Sequence, residues 1–325
     1  MLGVSTGACG GEQVDSPDAV YHLKLSHHIP PAAPPARALE EWAHKVEEAT
    51  DGRVQFTIYP SETLAQGREA LEATESGVCD VAMINFAYVG KRWSLNSVIS
   101  LGSVAMPSDR GAEIWDELQE RFPEMAGEMG SVKVLGKSVS TSTSLHVAGK
   151  EIHVPDDIKG LTIAALGDSA FLVESAGAIS VNVSSNDWAT AAQKGLIVGC
   201  MAPVYVVTDR GMEQTFDHHL YLGIGASAGV VVMNWEVWNS LPADVQDILD
   251  GLTPWLSEAM HSASLEVEAQ GWAKCEGQTI VRPTGEELAL WTALFQPVAE
   301  QWITDNADKG PARAIYQYLT ELTGQ

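Results

Sequence analysis

Hydrophobic positions along the chain switch repeatedly between a period of two and a period near 3.6, the marks of strands and helices. Tyr21, Leu23 and Leu25 alternate with His22 and Lys24, which predicts a strand that His27-His28-Ile29-Pro30-Pro31 breaks. After Pro34-Pro35, the residues Leu39, Trp42, Ala43, Val46 and Ala49 share one helical face, and Asp51-Gly52 ends that helix. Val54, Phe56 and Ile58 alternate as a second strand, closed by Pro60. Residues 71–77 read as a helix end, 80–84 as a strand, 113–122 as a helix and 132–135 as a strand.

The pattern is densest between His153 and Tyr205. Asp156 and Asp157 sit on a Pro-led loop that stops at Gly160. Residues 161–166 are apolar enough for a buried strand, and Phe171, Leu172 and Ala176 fit a helix ended by Gly177. Val181 and Val183 alternate with Asn182 and Ser184, residues 187–194 form a short helix stopped by Gly195, and 196–201 return as a strand. Strands alternating with helices predict crossover units and a mainly parallel sheet. Ligands of such sheets bind at the carboxyl ends of strands, here Gly167-Asp168 and Met201-Ala202-Pro203. Residues 75–85 and 193–203 echo one another as helix end, glycine, buried strand and loop. Two lobes on one plan would produce that echo.

Residues 138–144 are a hydroxyl run, SVSTSTS, leading into Leu145-His146-Val147. Two readings stand open for it: a crossing between lobes that lines the space between them, or a solvent-facing edge strand. Residues 218–222 and 226–233 read as strands, and Leu241-Pro242 opens a long helix to about Lys274 that Pro254 should kink. Thr284 with Glu287 forms a capping box before Leu288, Trp291, Leu294 and Phe295, and a final helix follows Pro311.

The order PDDIKGLTI, GAISVNV, then Ala189 and Gln193 before Gly195, resembles the solute-binding proteins of tripartite ATP-independent periplasmic (TRAP) transporters. The resemblance spans residues 21 to about 319. It implies an α/β, two-lobed periplasmic binding protein fold of the class II kind, joined by hinge strands and a long bracing helix. Residues 19–143 plus 227–270 would be the first lobe, 144–226 plus 271–325 the second, with 1–18 a tail. It further implies lobe closure on a small-molecule solute, delivery to membrane permease subunits, a periplasmic or extracytoplasmic location, and no cofactor. A sensor subunit on the same fold is the other role the resemblance allows.

Composition narrows the partners. A net charge of −24, from 43 acidic against 19 basic residues, excludes nucleic acid, whose phosphates need Lys and Arg. An acidic shell of this kind suits an extracytoplasmic protein in salt, where screening removes self-repulsion. No run of about 18 apolar residues writes a transmembrane helix. Ser5-Thr6-Gly7-Ala8-Cys9 before Gly10-Gly11 looks like the end of a lipoprotein signal, with Cys9 the acylated residue; a plain tail is the alternative. Cys79, Cys200 and Cys275 lack ligand-like spacing and read as buried thiols. The pairs His27-His28 and His218-His219 cannot chelate as units, because adjacent strand residues point to opposite faces. No hydrolase, metalloprotease, phosphate-loop or dinucleotide motif is present, so an enzyme is not expected.

In the family an Arg ending the "L-K-I-R" strand grips a substrate carboxylate; that position is Ala164 here. The family's Asn in "E-N-P" falls on Ala202, and a second Arg falls on Thr143. By position, the candidate ligand contacts are His28, Asn85, Phe86, Tyr88, Thr143, Ser144, Asp168, Asp187, Trp188, Met201 and Tyr205. Rings beside a carboxylate suit an organic ammonium, at roughly 0.5–2 kcal/mol per ring. The expected solute is therefore a small amine or amino alcohol of the ethanolamine kind, with hydroxyls of residues 142–144 receiving its alcohol group, and a neutral polyol or an organic acid is the alternative. Core packing is the competing role for Trp188 and Phe86, and helix capping for Asp187.

Overall fold

A computed structural model describes residues 19–324 except 90, 105, 108–109, 140–142, 166–167 and 184–186, and gives only the backbone of Ala87 and Asp168. Cys9 and Ser142 lie outside the described residues, and with Cys9 goes the expectation of lipidation.

Two separate sheets form the two lobes. The first has the order β2 (Val54–Tyr59), β1 (Tyr21–Ser26), β3 (Val81–Asn85), β10 (Ala228–Met233), β4 (Lys133–Val139). The second runs β11 (Thr279–Val281), β9 (His218–Ile224), β5 (Thr143–Val147), β8 (Gly199–Ala202), β6 (Thr162–Ala164), β7 (Ile179–Val181). The alternation seen at the start of the chain sets the register: Leu23 lies beside Phe56 and Leu25 beside Ile58 in the parallel β1–β2 pair. The second sheet is mainly parallel, as expected, through its β11–β9, β8–β6 and β6–β7 pairs, whereas the first is parallel only in β2–β1 and β1–β3. β10 runs antiparallel to β3 and β4, and β5 antiparallel to β8 and β9. These strands arrive from the other lobe rather than through a crossover helix, so nothing holds them parallel to their neighbours.

Both faces of the first sheet are covered. On one lie α1 (Pro34–Ala49), α9 (Trp235–Ser240) and α10 (Ala243–Lys274), with Leu39, Trp42, Val46, Leu249 and Leu256 closing on Leu25 and Val231. The other face carries α2 (Ala70–Glu75), α3 (Phe86–Val89), α4 (Gly111–Arg121) and α5 (Pro123–Glu128). On the second sheet, α6 (Asp168–Ser175) and α11 (Glu286–Ala293) cover the face of Leu145, Ile163 and Leu220. Opposite them, α7 (Trp188–Gln193) and α8 (Val204–Thr208) enclose Ala164 and Cys200. Cys79, Cys200 and Cys275 are buried free thiols, and burial pushes the Cys275 thiol up to about 11.

Two assignments differ from the sequence reading. The last helices, α12 (Gln296–Asp305) and α13 (Ala312–Thr323), bury Trp302, Ile303, Ile315 and Leu319 against the first lobe, not the second. From the C-terminal part, α11, Leu294 and Phe295 pack on the second sheet, and Val298 of α12 touches the cores of both lobes. Thr284 does not cap α11: Gly285, at φ 53, occupies the cap position and no side chain bonds there. The long helix ends at Lys274 as expected, and α10 runs through Pro254.

That helix ties the lobes together. Its first half packs on α1 and β4, and its last turns reach α8. Gly271 permits the approach, since a Cβ there would sit 2.7 Å from Val204 Cγ1 and 3.3 Å from the Tyr205 nitrogen. Trp272 lies over His146, His219 and Tyr221 of the second sheet. His146 and His219 meet through their Nδ1 atoms at 2.7 Å, and Arg282 stacks on Tyr221 and Trp272. Among the described residues no helix is long and apolar enough to cross a membrane.

Where β10 hands over to α9, Asn234 joins three elements. Its Oδ1 accepts from the Glu236 and Val237 amides at 2.7 and 3.0 Å, and its Nδ2 donates to the Thr74 and Glu75 carbonyls at the end of α2. Asn234→Ala leaves those buried groups unanswered and should cost about 2–3 kcal/mol, read as a lower urea midpoint at unchanged slope. A loss under about 0.5 kcal/mol would mean the junction is held by apolar packing alone.

Candidate functional site

Two of the crossings between the sheets run from β4 into β5 and from β9 into β10, and beside them Asn85 of β3 and Met201 of β8 line one cavity of a cleft from the two lobes. At the second crossing Gly225 takes φ 67, a left-handed conformation that glycine adopts without strain. A Cβ on it would lie 3.8 Å from Thr143 Oγ1 and 3.9 Å from Gly102 Cα, so both crossings and the 95–104 loop meet at this point.

Two cavities lie in the cleft and share Asn85, Ser227 and Ala228. The inner one, about 470 Å³, presents hydroxyls from Ser97, Ser100, Thr143, Ser169 and Ser227, with Phe86, Met201 and Phe295 as apolar walls. Ser100 Oγ is buried and has no hydrogen-bond partner, so it can still donate and accept. Asn85 Nδ2 lies 3.3 Å from Ser227 Oγ, joining the end of β3 to the second crossing. Phe295 closes the far side by lying flat on Gly102, where a Cβ would come within 2.4 Å of its ring.

The outer cavity, about 310 Å³, opens between the start of α1, the second half of α10 and α8. His28 and Tyr205 line it, with Gln270 and an ion pair of Lys274 Nζ to Asp209 Oδ1 at 3.5 Å. Burial lowers His28 below its ordinary value, with Glu62 opposing, and burial raises the Tyr205 hydroxyl, Asp209 adding to it.

Of the residues expected from the sequence, His28, Asn85, Phe86, Thr143, Met201 and Tyr205 line these cavities. Phe86 also packs into the core, its ring 5.4 Å from Trp93 and 5.0 Å from Trp115. Tyr88 lines neither; it is half exposed, its ring edge-on to His28 at 6.2 Å. Ser144 points away from the cleft because it follows Thr143 on one strand, and its Oγ is buried on the His146 face without a partner. Asp187 is exposed, stands at the cap position of α7, makes no capping bond and lines neither cavity. Trp188 is a core residue: it packs with Ala164, Cys200 and Phe216, and its Nε1 donates to the Val183 carbonyl at 3.0 Å. The Asp168 side chain lies outside the described residues; its neighbour Ser169 lines the inner cavity.

Ala164 itself is fully buried in that same core and lines neither cavity. The scarcity of positive charge stands on the lining instead. Among the described lining residues of the two cavities, Lys274 is the one cation, and Asp209 answers it. Sequence reasoning missed Ser97, Ser100, Ser169, Ser227 and Phe295. The recurrence of serine at 94, 97, 100 and 103 between apolar residues was a usable signal for the first two. Among the described residues no cluster of three His, Cys, Asp or Glu could hold a metal ion.

Residues 25–305 match the family model described as bacterial extracellular solute-binding protein, family 7. A solute-binding protein of Chromohalobacter salexigens is 31% identical over 144 residues, which spans 44% of this chain and 43% of that protein. The C4-dicarboxylate-binding periplasmic protein DctP of Rhodobacter capsulatus is 22% identical over 300 residues, 86% of this chain and 85% of its own. A TRAP periplasmic solute-binding protein of Desulfovibrio salexigens has the same fold, with a TM-score of 0.83 at 23% identity, covering 94% of this chain and 96% of that one. Other solved proteins of this fold hold D-glucuronate, benzoate or mandelate. The chain belongs to the bacterial extracellular solute-binding protein family 7, the solute-binding proteins of TRAP transporters, a transport family and not an enzyme family.

Proposed function

We propose that this chain captures an uncharged, hydroxylated organic solute outside the cytoplasm and delivers it to the permease subunits of a TRAP transporter. One observation supports this choice of solute: the inner cavity is lined by five hydroxyls and one amide, and by no charged side chain among its described residues. A carboxylate there would lose its water without gaining a cation, at a cost of several kcal/mol. A polyol exchanges each water hydrogen bond for one from serine, threonine or Asn85, while Phe86 and Phe295 accept its C–H faces. The relatives that hold or are named for acids give no support to this choice, so it rests on the lining alone. Binding must favour the closed arrangement of the lobes for delivery to follow.

An amino alcohol is the second reading, favoured by the place of Asp168 immediately before Ser169. Thermal shift separates the readings. Xylitol, inositol, ethanolamine, choline, succinate and benzoate are each added in excess. A bound solute at 100 times its Kd adds about 2.7 kcal/mol and raises Tm by a few degrees. Polyols are expected to do this. A response to amines that Asp168→Asn removes would select the second reading. Stabilisation by succinate or benzoate with none from polyols or amines would end both.

A further inference from the structure

We infer that the solute has two parts, a hydroxylated head seated in the inner cavity and an uncharged apolar tail lying in the outer one. The inference rests on the uncharged head argued above. Its first support is continuity: Asn85, Ser227 and Ala228 belong to both cavities, so a molecule in the inner one faces directly into the outer. Next to the shared Ala228, Gly229 on the outer cavity's wall has no room for a side chain: a Cβ would stand 3.1 Å from the Ile84 carbonyl oxygen, 3.2 Å from Met83 Cε and 3.3 Å from Ser138 Oγ. A side chain there would press on a strand neighbour's backbone, which cannot give way.

The second support is the chemistry of the outer walls. One side is built from Ile29, Pro34, Pro35, Met83, Met260 and Val267. Proline brings no backbone N–H, so this wall offers little to bind water and gains when an apolar group covers it. The two methionines can reshape around such a group, because the thioether chain is flexible and polarizable. On the facing side the charges of Lys274 and Asp209 answer each other at 3.5 Å, so neither an acid nor an amine at the end of the tail would find an unused partner there. A hydroxylated head with an alkyl or aryl ether or glycoside tail fits both compartments at once.

Calorimetry with paired probes tests this: methyl against butyl glucoside, and the methyl against the butyl mono-ether of glycerol. Each methylene buried in the outer cavity should tighten binding about fourfold, so butyl should bind at least about 30-fold tighter than methyl. Val267→Asn, on the half-buried part of the wall, should cut that ratio at least threefold. Met260→Gln makes the same test deeper in the wall. Equal affinity for methyl and butyl probes would overturn the two-part solute and leave the uncharged head standing. Failure of every probe, methyl included, would remove the uncharged head and this inference with it.

Discussion

Ala164→Arg is expected to leave the protein insoluble, or to lower its Tm by more than about 10 °C, and to confer no binding of succinate. The sequence pattern places a carboxylate-gripping arginine at this position in related chains, so the substitution looks like a repair. The structure argues otherwise. The Ala164 side chain is fully buried among Trp188, Ala191, Cys200, Val207 and Phe216, on the face of β6 opposite Ile163. Its strand neighbours are Cys200 and Val181. A guanidinium there would be an unpaired charge in an apolar cluster, costing several kcal/mol, and would overpack the site by about 1–3 kcal/mol more. Together these approach the whole stability of an ordinary domain, about 5–15 kcal/mol. Ala164→Ser, by contrast, should stay folded with a loss near 1 kcal/mol. A soluble Ala164→Arg protein with Tm within about 3 °C of the parent that binds succinate would show that position 164 does reach the cleft. It would also remove the case against an acid solute.

The same residue shows where sequence reasoning stops. Alternation of Tyr21, Leu23 and Leu25, or of Val54, Phe56 and Ile58, specifies a strand and the side it buries, because a strand's side chains must alternate. Cleft positions that follow a strand end, such as Asn85, Met201 and Tyr205, were legible for the same reason. What alternation cannot say is which of a strand's two buried faces looks into a cleft. Both faces of β5 and β6 are buried, so Thr143 and Ser144, or Ile163 and Ala164, look alike until the sheet is assembled. Trp188 was ambiguous because a tryptophan suits a ligand wall and a core equally; its bond to the Val183 carbonyl decides for the core. The allegiance of α12 and α13 to the first lobe depends on contacts such as Trp302 Nε1 to the Ser94 carbonyl, across more than two hundred residues. No local pattern records such a contact. The serines at 97 and 100 lie on a short 3-10 turn over Asn96–Ser100, whose period of three puts them on one side; that spacing was in the sequence and went unused.

Acidification should destabilise the protein well above the pH at which carboxylates titrate, through histidines buried in neutral form. His146 is completely buried, and that burial, then the charge of His219, push it down to about 3 against the Ala202 carbonyl. His27, also buried, is pushed down to about 4 by burial and then by His28, the Ile29 backbone opposing. His219 is lowered as well, chiefly by burial, with Gln278 opposing. The sign follows from proton counting. Below about pH 6.5 the unfolded chain takes up protons that these folded rings refuse, so stability rises with pH across that window and is lost as pH falls. Down to pH 5, His27 and His146 each withhold roughly 2 kcal/mol, about 4 kcal/mol together. Glu268, whose carboxyl is raised by burial, works the other way and returns part of it. Urea midpoints at pH 7.5, 6.5, 5.5 and 5 measure the slope. His27→Phe keeps a ring in place and removes one of these titrations, so it should lose about 2 kcal/mol less than wild type over the same range. If wild type and His27→Phe fell in parallel, the proton would be taken up elsewhere, and the His27 ring would have to be reached by water in the folded state.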